Sequence, residues 1–241
     1  MRLIGVGVGP GDVELVTVKA VRVLQQADLV VVPVMHAGEQ GRAEHTVRAH
    51  VTHDRLERLV FALDDRGGAT PARLSAWEAA ADAVAQRLTA GASTVAFATI
   101  GDPNVYSTFT YLADAVRERV PAVEVQTVPG ITAMQDLAAR SGTVLCEGTE
   151  SLALLPLTAG VPAFEEALTS FDTVVAYKGG RHMPAVLDVL RRQGRADDAV
   201  FGAALGLDDE QIRRAVDVDG EAPYLSTVLV PARRTLRGGK L

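Results

Sequence analysis

Short apolar runs alternate with longer stretches in which apolar positions recur every three to four residues, from one end of the chain to the other. Leu3 to Val8 is the first run. After it, Val16, Ala20, Val23, Leu24 and Ala27 line one face of a helix that Asp12 caps. Leu29 to Val34 is β-branched and holds Pro33 near its end, which predicts a second strand. The polar segment from Met35 to Arg55 has no firm period and reads as loop with some helix. Thr70-Pro71 reads as an N-cap with proline at the first helical position, and Trp77, Ala81, Val84 and Leu88 continue as one stripe up to Gly91. "STVAFATIGDP" is a buried strand ending in a sharp Gly-Asp-Pro turn, after which Val105, Phe109, Leu112 and Val116 resume helical spacing.

A second series starts at "VEVQTVPGIT", a strand followed by a Pro-Gly turn and a helix from Thr132 to Arg140. Strands are predicted at Ser151 to Leu155, Thr173 to Tyr177, Val200 to Leu205 and Leu225 to Val230. Helices at Pro162 to Ser170 and Pro184 to Gln193 separate some of them. The alternation predicts an α/β protein of two halves, residues 1–120 and 121–241, joined around Arg119 to Ala122. A length of 241 residues with 48% hydrophobic content suffices for one large core or two ordinary ones. The basic tail from Arg233 to Lys240 is expected to fray.

Charge and special residues narrow the function. The longest membrane candidate, Ala27 to Val34, is far short of the roughly 20 apolar residues a spanning helix needs. No charged, cleavable leader pattern precedes it, so a cytoplasmic protein without a membrane partner is expected. A net charge of −6 argues against a nucleic-acid partner, because a phosphate backbone is held by a basic surface. The lone Cys146 rules out an internal disulfide and reads as a small buried residue. Four of the five histidines lie in the polar segment. His45, His50 and His53 lack the i, i+4 spacing that sets two imidazoles side by side, so solvent-exposed loop positions and no metal are expected.

The opening "RLIGVGVGPGD" is dense in glycine, yet it fits no phosphate cradle. Counted from Gly5, the sixth place of a G-x-G-x-x-G fingerprint is Pro10; counted from Gly7, it is Asp12. A Walker A loop would end in G-K-[ST], and here Gly11 is followed by Asp12 and Val13. What remains is three related turns, "GPGD", "IGDP" and "VPGIT", each following a strand, pairing Gly with Pro and opening a helix. Any one of them reads as an ordinary tight turn. Three together point to a ligand, because open α/β sheets bind ligands beyond the carboxyl ends of their strands.

"GVGPGDVELVTVKA", "IGDPNVYSTFTYL", "VPGITAMQDLAARSG" and "VVAYKGG" resemble, in order and across the whole chain, signature segments of the tetrapyrrole methylases. "YSTFTYL" after the Gly-Asp-Pro turn and the late "EAPYLSTVLV" are similar to the branch that methylates precorrin-2 at carbon 20. The resemblance implies two αβα domains with S-adenosylmethionine folded in the cleft between them, a homodimer, and a tetrapyrrole as substrate. Carried to matching positions, it implies cofactor contacts at Pro10 in the first turn and at Gly101, Asp102 and Val105 around the second. Thr132 and Ala133 follow in the third, with Tyr177, Lys178, Ala204, Leu205 and Thr227 later in the chain. Substrate contacts are implied at Gly9, Gly11, Asp12, Lys19, Tyr106 and Arg181. The polar segment departs from the branch, so no contacts are carried over there.

The chemistry implied is transfer of a sulfonium methyl to a nucleophilic meso carbon, which needs alignment before all else. Asp102, Tyr106, Tyr111 and Glu147 are candidates for the base that removes a proton afterwards, but turn capping and core packing explain the first three as well, and no base is assigned. Lys19, Lys178, Arg181 and Arg140 could meet substrate carboxylates or be ordinary surface charges. Replacing Gly9 or Gly101 with valine is expected to abolish turnover with the fold largely intact. A methylase acting at other ring carbons, an RNA or diphthine methylase of the same fold, and a non-enzymatic carrier are the rival readings.

Overall fold

The first unit alternates strand and helix: β1 (Arg2–Gly7), α1 (Val18–Gln26), β2 (Leu29–Val34), α2 (Arg42–His50), β3 (Leu56–Val60), α3 (Pro71–Thr89), β4 (Thr94–Thr99), α4 (Phe109–Arg119) and β5 (Glu124–Val128). This computed structural model describes residues 1–36, 38–61 and 70–234. The five strands form one parallel sheet in the order β3-β2-β4-β1-β5. Parallel strands in the middle of such a sheet are covered on both faces, which is why β4 is buried at every position. Alternate residues serve the two faces. Leu3, Val31, Val95 and Phe97 pack with α3 and α4, whereas Ile4, Val6, Val30 and Ala96 pack with α1 and α2.

Thr70 caps α3 as expected, its hydroxyl accepting from the Arg73 amide at 3.2 Å. In α1 the cap differs. Thr17 accepts from Ala20 N at 3.1 Å, while Asp12 closes a turn of its own by accepting from Glu14 N at 2.8 Å. A capping side chain must lie within a few residues of the first free amides, and Asp12 is too far upstream. The polar segment contains α2, and two of its histidines are engaged: His50 Nε2 meets Val13 O at 2.6 Å and His53 Nε2 meets Leu24 O at 3.2 Å. This corrects the expectation of solvent-exposed loop histidines. The edge strand β3 is absent from the sequence reading, because "LERLV" is short and two of its five residues are charged.

The second unit contains α5 (Ala133–Ser141), β6 (Leu152–Pro156), α6 (Val161–Ser170), β7 (Thr173–Tyr177), α7 (Met183–Arg192), β8 (Val200–Ala203), β9 (Gln211–Arg214) and β10 (Ser226–Val230). Its sheet, ordered β6-β7-β10-β8-β9, is mixed: β6 and β7 are parallel, while β10 runs antiparallel to both neighbours. Phe164, Met183, Leu190 and Phe201 anchor one face, and Leu137, Val175 and Leu229 the other.

The compact units are Met1–Thr132 and Ala133–Leu241. The junction read at Arg119 to Ala122 is displaced because β5 pairs with β1 from Arg2↔Glu124 to Val6↔Val128, which binds it to the first sheet. Cys146 is exposed, on the connection between α5 and β6, and not a buried core residue. Of the tail expected to fray, Arg233 and Arg234 are tied to Asp198 and Glu150; residues 235–241 lie outside the described residues.

Candidate active site

In the first unit the three glycine-bearing turns follow β4, β1 and β5, which are adjacent and parallel, so all three emerge at one end of the sheet. They are bonded to one another. Val8 N donates to Thr99 O at 2.9 Å, and Gly101 N to Gly9 O at 2.8 Å. A Cβ on Gly7 would lie 2.5 Å from Gly101 O and 2.6 Å from Gly130 N, and one on Gly130 would lie 2.1 Å from Gly101 O. These glycines are bare because three backbones pack on each other. Gly9, at φ +80°, would place a Cβ 2.4 Å from Leu15 O, so a valine there would disturb the turn itself, contrary to the sequence expectation. Gly101 is different. At φ +70° its Cβ would meet only Thr132 Cα at 3.9 Å, which leaves open space over the second turn.

Asp102 is buried in that turn. Its Oδ1 accepts from Asn104 N at 2.7 Å and its Oδ2 from Gly130 N at 3.0 Å, while its carbonyl accepts from Val105 N at 3.2 Å. Pro10 and Gly11 of the first turn and Thr132 at the end of the third are buried, and Asp12 is held by its own turn. Lys19 is exposed on α1. Tyr106 is 43% exposed with a left-handed backbone, φ +50°, and burial of part of its ring pushes the phenol pKa up. Tyr111 is not one of the turn residues: its ring stacks on Trp77 of α3, centroids 4.4 Å apart.

In the second unit β7 and β8 end where β10 begins, with Thr227 opposite both Tyr177 and Gly202. Lys178 N donates to Ser226 O at 3.0 Å, and Ser226 Oγ accepts from Gly180 N at 3.2 Å. The Tyr177 hydroxyl accepts from Met134 N at 2.9 Å, satisfying an amide in the first turn of α5 next to Ala133. Ala204 turns the chain after β8, accepting from Leu207 N at 3.0 Å. Leu205 packs its side chain into the core with Leu137 and Leu229, which leaves only its backbone for a ligand. Arg140 is paired with Glu210, and Glu147 with Arg234 at 3.3 Å. Arg181 is exposed beside His182.

One signal was invisible in the sequence. Among the described residues, Tyr106, Lys178 and Ala204 are the non-glycine positions with left-handed backbone. All three belong to the residues implied by resemblance. Such strain persists where the surroundings over-determine it, and it concentrates at functional sites.

The family model for tetrapyrrole (corrin/porphyrin) methylases matches residues 2–216. A precorrin-2 C(20)-methyltransferase of Sinorhizobium sp is 36% identical over 237 residues, covering 95% of each chain. A probable cobalt-precorrin-2 C(20)-methyltransferase of Methanocaldococcus jannaschii is 34% identical, covering 83% of this chain and 80% of its own. Among solved structures, the uroporphyrin-III C-methyltransferase of Thermus thermophilus in complex with S-adenosyl homocysteine aligns at TM-score 0.65 and 21% identity. It covers 95% of this chain and 97% of the other, a likeness of fold.

Proposed function

Because the chain belongs to the tetrapyrrole (corrin/porphyrin) methylases, we propose that it methylates precorrin-2 at carbon 20, giving precorrin-3, with S-adenosylmethionine as donor. The 36% identity to the Sinorhizobium enzyme, end to end in both chains, carries this reading. When bound, the donor would supply an electrophilic methyl to the ring carbon, the electron pair of the methyl–sulfur bond staying on sulfur and the displaced proton passing to a base or to water.

What the chain contributes is placement. The interlocked turns present a rigid backbone surface, and the space over Gly101 admits a ligand where a side chain would stand. The donor contacts we assign are Pro10, Gly101, Val105, Thr132 and Ala133, together with Tyr177, Lys178, Ala204, Leu205 and Thr227. Alignment at near-attack distance can supply about 7–11 kcal/mol of the barrier in such a transfer. Gly9, Gly11, Asp12, Lys19, Tyr106 and Arg181 meet the macrocycle, the two cations facing its carboxylates. Burial of part of the Tyr106 ring pushes its phenol pKa up, which counts against the base role among the candidates.

A second form of the substrate has its own support: relatives from Methanocaldococcus jannaschii and Salmonella typhimurium, 34% and 29% identical, are named for cobalt-precorrin-2. Anaerobic incubation with labelled S-adenosylmethionine and precorrin-2, with and without cobalt, tests both. One methyl at carbon 20 is expected, and transfer to neither form would return the chain to the other activities of its family. No helix among the described residues is long and apolar enough to cross a membrane. We further infer a cytoplasmic homodimer that takes a tetrapyrrole and no nucleic acid; light scattering reads the assembly directly.

A further inference from the structure

The segment at residues 129–132 leaves an edge strand. β5 is last in its sheet and pairs only with β1, so the chain beyond Val128 has a sheet neighbour on one side alone. Yet this segment ends in Thr132, a proposed donor contact, and its placement bounds the open space over Gly101. Asp102 reaches it from the second turn. Oδ2 accepts from Gly130 N at 3.0 Å, a bond spanning 28 residues of chain, and Oδ1 accepts from Asn104 N at 2.7 Å, which fixes the carboxylate's orientation. Gly130 has no room for a side chain against Gly101 O and Gly7 Cα, and that closeness lets its amide reach the carboxylate. Hydrogen bonds from backbone amides to an ionised carboxylate are stronger than neutral ones, and stronger still when buried.

We propose that Asp102 is a positioning residue for methyl transfer: it holds the third turn on the second, thereby shaping the donor site, and it takes no proton in the reaction. Each of its oxygens accepts from a backbone amide, one in its own turn and one in the third, which fixes the carboxylate between the two turns. The proposal rests on the donor site described above.

Two variants test it. Asp102→Asn leaves one acceptor oxygen for two amides and turns an NH2 group toward the other; Asp102→Ala removes both acceptors. Binding of S-adenosylhomocysteine is measured by titration calorimetry, with thermal unfolding and with kcat and KM for S-adenosylmethionine. The expected result is a Kd about tenfold weaker in the asparagine variant, the size of one lost charge-assisted bond, and weaker again in the alanine variant. KM for the donor rises in step, and kcat at saturation falls less than KM rises. Loss of kcat with Kd unchanged identifies a base and overturns the proposal, as does unchanged Kd with unchanged kcat. If the alanine variant does not fold, the asparagine variant decides; if neither folds, the carboxylate holds the unit and not the site, and the proposal fails. Absence of binding by the unaltered protein is a different result, which overturns the donor-site reading itself.

Discussion

Gly101 and Gly130 are the same residue in successive turns for different physical reasons. An added Cβ at Gly130 meets a backbone carbonyl at 2.1 Å, whereas at Gly101 it meets nothing closer than 3.9 Å. Gly130→Ala is therefore expected to destabilise the first unit by about 2 kcal/mol or more, because backbone has nowhere to go. Gly101→Ala is expected to cost about 1 kcal/mol, the strain of an L-residue at φ +70°, and to weaken S-adenosylhomocysteine binding. Denaturant unfolding and calorimetry separate the two. Tyr106 offers the converse case. Tyr106→Gly relieves a left-handed backbone at a half-exposed side chain, so stability should stay within about 1 kcal/mol of the native protein. Methyl transfer should nevertheless fall at least tenfold, read as kcat/KM for the tetrapyrrole. Equal activity would remove Tyr106 from the substrate contacts.

At the scale of elements, α2 and β3 are joined by charge in addition to apolar packing. Glu44 is 0% exposed on α2 and accepts from Arg58 of β3 at 2.6 and 2.8 Å and from Arg48 at 2.7 Å. The Arg58 hydrogen bonds, more than those of Arg48, hold its carboxyl below the ordinary value against the opposing cost of burial. A folded-state pKa below the unfolded one means stability that is present above the unfolded value, about 4.3, and lost as pH falls through the folded one. Glu44→Gln should flatten the acid limb of the stability curve below about pH 4.3, at the cost of lower stability at neutral pH. Urea unfolding between pH 3 and 7 checks the sign. Elements with a clean apolar period, such as β2, β7 and α3, were legible to within a residue or two. β3 and β9 were not, because both are short edge strands whose charged residues blur the apolar alternation.

For the whole molecule, a chain of net charge −6 must take a carboxylate-bearing macrocycle on a few local cations. The KM for the tetrapyrrole should then depend on ionic strength more than the Kd for S-adenosylhomocysteine does, since screening acts on the carboxylate contacts proposed for Lys19 and Arg181. Steady-state kinetics from low salt to about 0.5 M read this directly, and equal salt responses would move carboxylate recognition away from these two residues.

Local patterning by itself determined the α/β class, most element positions and the three Gly-Pro turns, because periodicity, capping and turn chemistry act over a few residues, and the resemblance of four quoted segments pointed to the family. Only the tertiary structure decided which glycines serve packing and which leave space. It also decided that Asp102 bridges two turns, that Arg140 and Glu147 are already paired, and that β5 closes the first sheet. Each of these is a contact between residues distant in sequence, whose partner no local pattern names.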